Sequence, residues 1–145
     1  MAITQAASAQ VPAIAALAKQ LWDHHEQEEL QAEFEHLIKD SDCAVFLYTS
    51  GGHAVAFAQV QLRRDYVQGT STSPVGYLEG IFVEPAHRKQ GIATQLVRAC
   101  QDWARAQGCR EFASDCPMSN QDSYRFHLAL GFVEAGRIIC FQKTL

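Results

Sequence analysis

Several features that mark other classes of protein are missing from this chain of 145 residues. It contains no run of about 18 apolar residues, so no membrane-spanning helix is expected. Its first residues, MAITQAASAQVPAIAALAKQLW, lack the basic region and the unbroken apolar stretch of a signal peptide. Acidic residues outnumber basic ones, with a formal net charge of −4, whereas nucleic-acid binding needs a broad basic face. The sequence therefore predicts a cytoplasmic protein with neither a membrane nor a nucleic acid as its partner.

The spacing of cysteine and histidine residues gives little support for a metal site. His24, His25 and His36 lie close together in the sequence, but the paired Cys or His spacing of a zinc site is absent. The five cysteines are an odd number in a chain without an export signal, so we expect reduced thiols. No metal is expected to take part in the function.

The length and composition are those of one globular domain spanning residues 1–145. Apolar residues make up 48% of the chain and charged residues 19%, which is ordinary for a protein with a single core. Helical spacing of apolar residues predicts helices at 14–22, 26–39, 91–107 and 121–130. Strands are predicted at 2–4, 44–48, 54–62, 77–83, 110–115 and 137–143, with a Gly51–Gly52 hairpin turn. This order predicts an α/β or α+β fold in which helices flank a mixed central sheet.

Positive charge is concentrated on one short loop, VEPAHRKQGIATQLV, between a predicted strand and a predicted helix. The free N–H groups and the dipole of a helix N-terminus attract anions, and Gly91 lets the backbone approach a ligand closely. Arg88 and Lys89 add charge, so a phosphate or pyrophosphate is the expected guest. The loop has neither the P-loop spacing nor the dinucleotide-binding spacing. The simpler alternative is a helix start with solvated basic residues.

The same loop resembles the R-x-x-G-x-A coenzyme A loop of GCN5-related N-acetyltransferases, with Arg88, Gly91 and Ala93 at the motif positions. NQDSYRFHLALGF, which begins at Asn120, resembles the next motif of that superfamily. LW followed by His25, and then RRDYVQG, SPVGYLEGIFV, GCREFASD and HLALGF, resemble short single-domain bacterial aminoglycoside 6′-N-acetyltransferases. This resemblance implies direct transfer of acetyl from acetyl-CoA to an aminoglycoside 6′-amine, resistance to the antibiotic, and usually a homodimer.

The resemblance also implies which residues hold the donor. The pantetheine arm would run along Ile81, Phe82 and Val83, where a β-bulge would separate this strand from the next. An N–H group near Val83 would face the developing oxyanion. Asn120 would hydrogen-bond the cofactor, and the pyrophosphate would lie on Arg88, Lys89, Gln90, Gly91, Ile92 and Ala93.

Two carboxylates are candidates for the acceptor side. Glu79 and Asp115 are expected at the ends of neighbouring central strands, where they could hold an ammonium group and accept its proton. A carboxylate beside an ammonium also raises the amine's pKa, which opposes deprotonation. Each could instead be a rim carboxylate, and Asp115 could be a helix cap. The resemblance adds Trp22, His25 and Tyr66 as further substrate-binding positions.

His127 occupies the place where the wider superfamily commonly has a tyrosine that protonates the leaving thiolate. An imidazole can donate that proton, although thiolate is already a fair leaving group. A histidine packed in a helix is the alternative. Gly136 is a second departure, since some relatives carry an acidic substrate ligand there.

Two other functions stay open at this stage. One keeps the chemistry but changes the acceptor to a small amine, a polyamine or a protein N-terminus. The other is a non-catalytic sensor domain that binds coenzyme A. Thiol release with a cationic amine would separate the enzymes from the sensor.

Overall fold

The computed structural model describes residues 2–145 and contains four α-helices in that range. They are α1 (Val11–Leu21), α2 (Gln27–Ile38), α3 (Ile92–Ala106) and α4 (Gln121–Ala129). Two short 3₁₀ helices, Ser8–Gln10 and Pro85–His87, precede α1 and α3. No helix in residues 2–145 is long and apolar enough to cross a membrane. All four helices were predicted from the sequence, with boundaries that differ by a few residues.

Within the described residues, five strands form one sheet in the order β1-β2-β3-β4-β5. The strands are β1 (Ile3–Gln5), β2 (Cys43–Ser50), β3 (His53–Arg63), β4 (Val75–Val83) and β5 (Phe112–Ser114). The first four are antiparallel to their neighbours, whereas β4 and β5 are parallel. The prediction of a mixed sheet flanked by helices is confirmed.

Glycines end the elements where the sequence indicated. Gly51 and Gly52 have φ of 58° and 83°, the left-handed conformation that a tight β2–β3 hairpin turn requires. Gly91 immediately precedes α3 with φ of 78°, and Gly131 follows α4 with φ of 92°. Residues at the start of α3 and at the start of α4 line one cleft with the end of β4.

The core lies on both faces of the sheet because β3 alternates its side chains between them. Phe57 points to the face covered by α1 and α2, where it packs with Ile14 and Phe34. Val60 points to the opposite face, which α3 covers with Leu96. All five side chains are almost fully buried. Both faces of the central strands are therefore covered by packed helices.

A β-bulge interrupts β4. Leu78 pairs with Val60 and Gly80 pairs with Gln59, so Glu79 is the extra residue on this strand. On the other side, the parallel ladder with β5 ends at the Leu78–Ser114 pair. From Glu79 onward, β4 therefore diverges from β5 and its edge faces an open cleft. A bulge was expected in this strand, and it lies two residues before the predicted pantetheine segment.

The predicted strand at 137–143 is wrong. The structure assigns no strand there, and the side chains from Val133 to Leu145 are exposed. A strand needs a ladder partner, and none of the five strands pairs with this part of the chain. Ala135 and Gly136 instead lie against the loop at 68–69. The contact is so close that a Cβ built on Gly69 would be 2.4 Å from Ala135, and one built on Gly136 would be 2.1 Å from the Gln68 side chain.

Candidate active site

A cleft of about 690 Å³ opens where β4 separates from β5. Its walls are the free half of β4, the loop before α3, the segment between β5 and α4, and the end of α1. The predicted site residues that line it are Trp22, Glu79, Ile81, Phe82, Val83, Arg88, Lys89, Gly91, Ile92, Ala93, Asp115, Asn120 and His127. A smaller cavity of about 430 Å³ adjoins it at Glu79 and is also lined by Arg63 and Tyr66.

The loop before α3 is shaped to present backbone N–H groups. Lys89 has φ of 63°, a left-handed conformation that is costly for a residue with a side chain, and Gly91 follows with φ of 78°. The first N–H groups of α3 have no acceptor within their own helix, and the helix dipole reinforces their positive potential. This geometry suits a bound phosphate.

Arg88 is fixed to the strand that it follows. Its Nε donates a hydrogen bond of 2.8 Å to the carbonyl of Val83, and its guanidinium lies 5.5 Å from the centroid of the Phe82 ring. The remaining guanidinium N–H groups are available to an anion.

Two predicted loop residues contribute less to the cleft. Gln90 is exposed and is not among the residues lining the cleft, and the Ile92 side chain is buried in the core.

The two carboxylates are linked by groups that sequence reasoning missed. Arg63 pairs with Glu79 through two hydrogen bonds, Nε to Oε2 at 3.0 Å and Nη2 to Oε1 at 2.8 Å. The same guanidinium lies 3.5 Å from the centroid of the Tyr77 ring, and the Tyr77 hydroxyl donates to Asp115. Glu79, Arg63, Tyr77 and Asp115 therefore form one connected network across β3, β4 and the end of β5.

The network changes the acidity of its members. The hydrogen bond to Glu79 raises the pKa of Arg63, so its charge is permanent. Burial, together with the hydrogen bond to Asp115, raises the pKa of Tyr77, so its hydroxyl keeps its proton at neutral pH. The RRDYVQG stretch contained Arg63, but nothing in its spacing indicated a partner on the adjacent strand.

Three predicted substrate positions have different surroundings. Trp22 lies against the backbone of Gly80, where an added Cβ would be 2.8 Å from the indole. Tyr66 is 79% exposed beside the smaller cavity, and its hydroxyl accepts a long hydrogen bond from the N–H of Gly69. His25 is not brought into either cavity; its ring lies beside that of His24, with 4.3 Å between centroids.

The two ends of α4 each supply a polar group. Asn120 is the N-cap residue, and its Oδ1 accepts a hydrogen bond of 3.0 Å from the N–H of Ser123. This leaves the amide NH₂ group for a ligand. In the last turn of α4, Nδ1 of His127 lies 2.7 Å from the carbonyl of Ser123, and Nε2 lies 2.8 Å from Oγ of Ser114.

Several lining residues were not identified from the sequence. Ser114 and Thr94 have small hydroxyl side chains that no motif marks. His87 lines the cleft as well, and its buried Nδ1 finds no hydrogen-bond partner among residues 2–145. In the same range, no group of three or more His, Cys, Asp or Glu side chains converges as a metal site.

A family model described as "Acetyltransferase (GNAT) family" matches residues 11–132. The chain belongs to this family. The match includes β4, the glycine loop, α3 and α4, so the cleft lies within the part of the chain that defines a GNAT protein.

Curated relatives of this GNAT chain carry the name aminoglycoside N(6′)-acetyltransferase type 1. The protein of Salmonella typhimurium (strain LT2) is 43% identical over 127 residues, which are 88% of each chain. The protein of Stenotrophomonas maltophilia is 40% identical over 144 residues, covering 99% of this chain and 93% of its own.

Solved GNAT structures show the same similarity in three dimensions. Aminoglycoside N-acetyltransferase AAC(6′)-Iy in complex with CoA superposes with a TM-score of 0.95 at 40% identity, over 99% of this chain and 94% of that one. AAC(6′)-Iy bound to the bisubstrate analogue CoA-S-monomethyl-acetylneamine gives a TM-score of 0.94 at 40% identity, over 99% and 97%. The sequence-based assignment to the superfamily is confirmed.

Proposed function

We propose that this protein transfers an acetyl group from acetyl-CoA to the 6′-amine of an aminoglycoside by direct attack. The observation that carries the proposal is a single cleft with an anion-binding loop at one end and two carboxylates at the other. Curated relatives with the corresponding name, and a similar structure that holds a CoA–aminoglycoside analogue, support the same reaction. Acetylation of that amine would make its host resistant to the drug.

The donor would lie along the edge of β4. We assign the pyrophosphate to Arg88, Lys89 and the first N–H groups of α3, because helix N-termini bind anions. The pantetheine arm would hydrogen-bond the edge of Ile81–Val83 that β5 leaves unpaired. An N–H of this edge would stabilise the oxyanion of the tetrahedral intermediate.

The acceptor would enter beside Glu79 and Asp115. A protonated amine binds to these carboxylates as a cation, and Trp22 offers an apolar face for a sugar ring. The Glu79 carboxylate, which pairs with Arg63 at 2.8 Å, would accept a proton from the ammonium group, directly or through a water molecule. The free amine then attacks the thioester, and coenzyme A leaves as the thiol.

The test is a panel of acceptors incubated with acetyl-CoA, with thiol release as the measurement. Aminoglycosides with a 6′-amine should react, and matched compounds with a 6′-hydroxyl should not. NMR of the product should place the acetyl group on the 6′-nitrogen, and acetate on another amine would contradict the proposed regiochemistry. Polyamines and a peptide N-terminus in the same panel test the alternative acceptors, and donor binding without turnover would indicate a sensor.

We further propose that the active protein is a cytoplasmic homodimer. The C-terminal arm, residues 133–145, exposes the apolar side chains of Val133 (85%), Ile138 (67%), Ile139 (81%) and Phe141 (91%). Exposed apolar patches and unpaired strand-type segments mark association surfaces. A second copy of this chain is the occupant that we assign to the arm, since the pattern of 137–143 is that of a strand lacking a partner.

Light scattering after gel filtration tests the dimer. The intact chain should elute with twice its monomer mass, and Phe141→Glu should shift the population toward monomer because it buries a charge in the contact. Arg98→Ala, an exposed change on α3, is the control and should leave the mass unchanged. A monomer at every concentration of the intact chain would refute the dimer.

A further inference from the structure

Ser114 lies at the point where β4 and β5 separate, which we call the fork. It is the last residue of β5, and it pairs with Leu78 at the final rung of the parallel ladder. Its side chain lines the cleft together with the free β4 edge. A thioester placed along that edge would have its sulfur near this fork. The Ser114 hydroxyl therefore faces the region where the proposed reaction produces a thiolate.

Hydrogen bonds determine the roles of the two His127 nitrogens. A carbonyl oxygen can only accept, so Nδ1, at 2.7 Å from the Ser123 carbonyl, carries a hydrogen. Nε2 lies 2.8 Å from Oγ of Ser114. The Phe126 and Phe132 rings flank the imidazole, with centroids at 5.6 Å and 5.2 Å. With Nε2 engaged by Ser114, the imidazole does not present a free nitrogen to the cleft.

From this arrangement we propose that Ser114 is a catalytic residue that relays a proton from His127 to the leaving thiolate of coenzyme A. The proposal rests on the acetyl transfer proposed above. As the C–S bond breaks, the thiolate takes the proton of the Ser114 hydroxyl. Oγ simultaneously takes the Nε2 proton of the His127 imidazolium. The products are a thiol, an intact serine and a neutral imidazole, so two coupled transfers move a net one proton from His127 to the thiolate.

The second contact of Ser114 fits this role. When the imidazolium donates to Oγ, the serine hydroxyl hydrogen must point elsewhere. The carbonyl of Leu78, at 3.4 Å, is a long and weak acceptor for it. A thiolate entering the fork would be a stronger, charged acceptor. The hydroxyl hydrogen thus has no strong acceptor within the protein that a thiolate would have to displace.

Other charged groups share the cleft with the imidazole. The carboxylates are Glu79, which pairs with Arg63, Asp115, which accepts from Tyr77, and Asp122 in the first turn of α4. The cations are Arg88 and Lys89 of the glycine loop. None of them bonds the ring of His127, whose polar partners are Ser114 and Ser123. Removal of the serine hydroxyl therefore breaks the route between the ring and the fork.

The experiment measures single-turnover acetylation of a 6′-amino aminoglycoside as a function of pH. The wild-type rate should fall at alkaline pH, because the relay needs a proton on the imidazole of His127. Ser114→Ala should lower the neutral-pH rate about 10-fold and remove this alkaline fall. That loss is below the roughly 10²- to 10⁴-fold usual for general acids, since thiolate is a fair leaving group. His127→Gln should give the same rate and the same flat profile, and the double variant should be no slower.

A structural role would give a different result. If Ser114 only anchored α4, the variant would lose rate by the same factor at every pH, and the alkaline fall would remain. Ser50→Ala, an exposed change at the end of β2, is the matched control and should behave as wild type. An unchanged rate and profile in Ser114→Ala would overturn the relay while leaving the transferase intact. A wild-type chain that transfers no acetyl group would overturn both.

Discussion

The two halves of the cleft are built in different ways. The donor half is made from one continuous stretch, Ile81–Ala93, and offers backbone N–H groups together with the charge of Arg88. The acceptor half is made from side chains on separate elements: Arg63 on β3, Tyr77 and Glu79 on β4, and Asp115 after β5. The donor half thus displays unmatched positive charge, whereas the acceptor carboxylates already have partners. A cationic acceptor must exchange partners with the protein as it binds.

The largest expected effect tests the chemistry of the acceptor half. Glu79→Gln should lower kcat about 10²-fold or more, because an amide cannot accept the ammonium proton. The acidic limb of the pH–kcat profile should disappear, and the dissociation constant of acetyl-CoA should stay unchanged. Steady-state kinetics across pH measure the first two quantities, and calorimetry measures the third. Full kcat with the same acidic limb would show that Glu79 is not the base.

The next effect isolates the donor half. Arg88→Ala should weaken acetyl-CoA binding about 30-fold, since a hydrogen bond to a charged group contributes roughly 1.5–3 kcal/mol. The acceptor KM should change little. Arg98→Ala removes an exposed arginine from the same neighbourhood, on α3, and is the matched control. An unchanged donor affinity in Arg88→Ala would contradict the assignment of the loop to pyrophosphate.

A smaller effect separates binding from chemistry. Asp115→Asn should raise the acceptor KM about 10-fold and change kcat little, which is the pattern for an interaction made equally in the ground and transition states. Asn can still accept the Tyr77 hydrogen bond, so the network geometry should survive. Asp102→Asn, on the exposed face of α3, is the control. A fall in kcat as large as that of Glu79→Gln would assign the chemistry to Asp115.

The smallest effect tests whether the cationic acceptor displaces Arg63 from Glu79 as it binds. Arg63→Met should lower the acceptor KM about threefold, because a half-exposed ion pair contributes roughly 0.2–1 kcal/mol that the incoming cation would no longer displace. The side chain of Arg63 is 40% exposed, which places the pair in this range. Competition kinetics with one aminoglycoside measure the change. An increase in KM would mean that Arg63 positions Glu79 and does not compete with the acceptor.

The same contrast explains what could be predicted from the sequence. The donor loop depends on local conformation, so its glycine, its basic residues and the following helix were recognisable within 15 residues. The bulge at Glu79 and the end of the β4–β5 ladder at Ser114 were expected only in outline, because register depends on tertiary pairing.

Sequence reasoning gave less where partners are distant in the chain. Arg63 and Tyr77 were missed because their contact joins adjacent strands and leaves no periodic trace. His25 was expected at the substrate and lies outside both cavities. The strand at 137–143 has the composition of a strand, but a pattern of side chains cannot supply the hydrogen-bonding neighbour that a strand needs.

Gly80 has a consequence for how this molecule can be observed. Without a Cβ at that position, the indole of Trp22 lies directly on the strand backbone inside the cleft. The other tryptophan, Trp103, belongs to α3, packs partly buried against the core and does not line the cleft. One fluorophore therefore borders the ligands while the other is shielded from them. Emission from Trp22 should follow the filling of the cleft without any label, so equilibrium affinities can be recorded even for variants that no longer turn over.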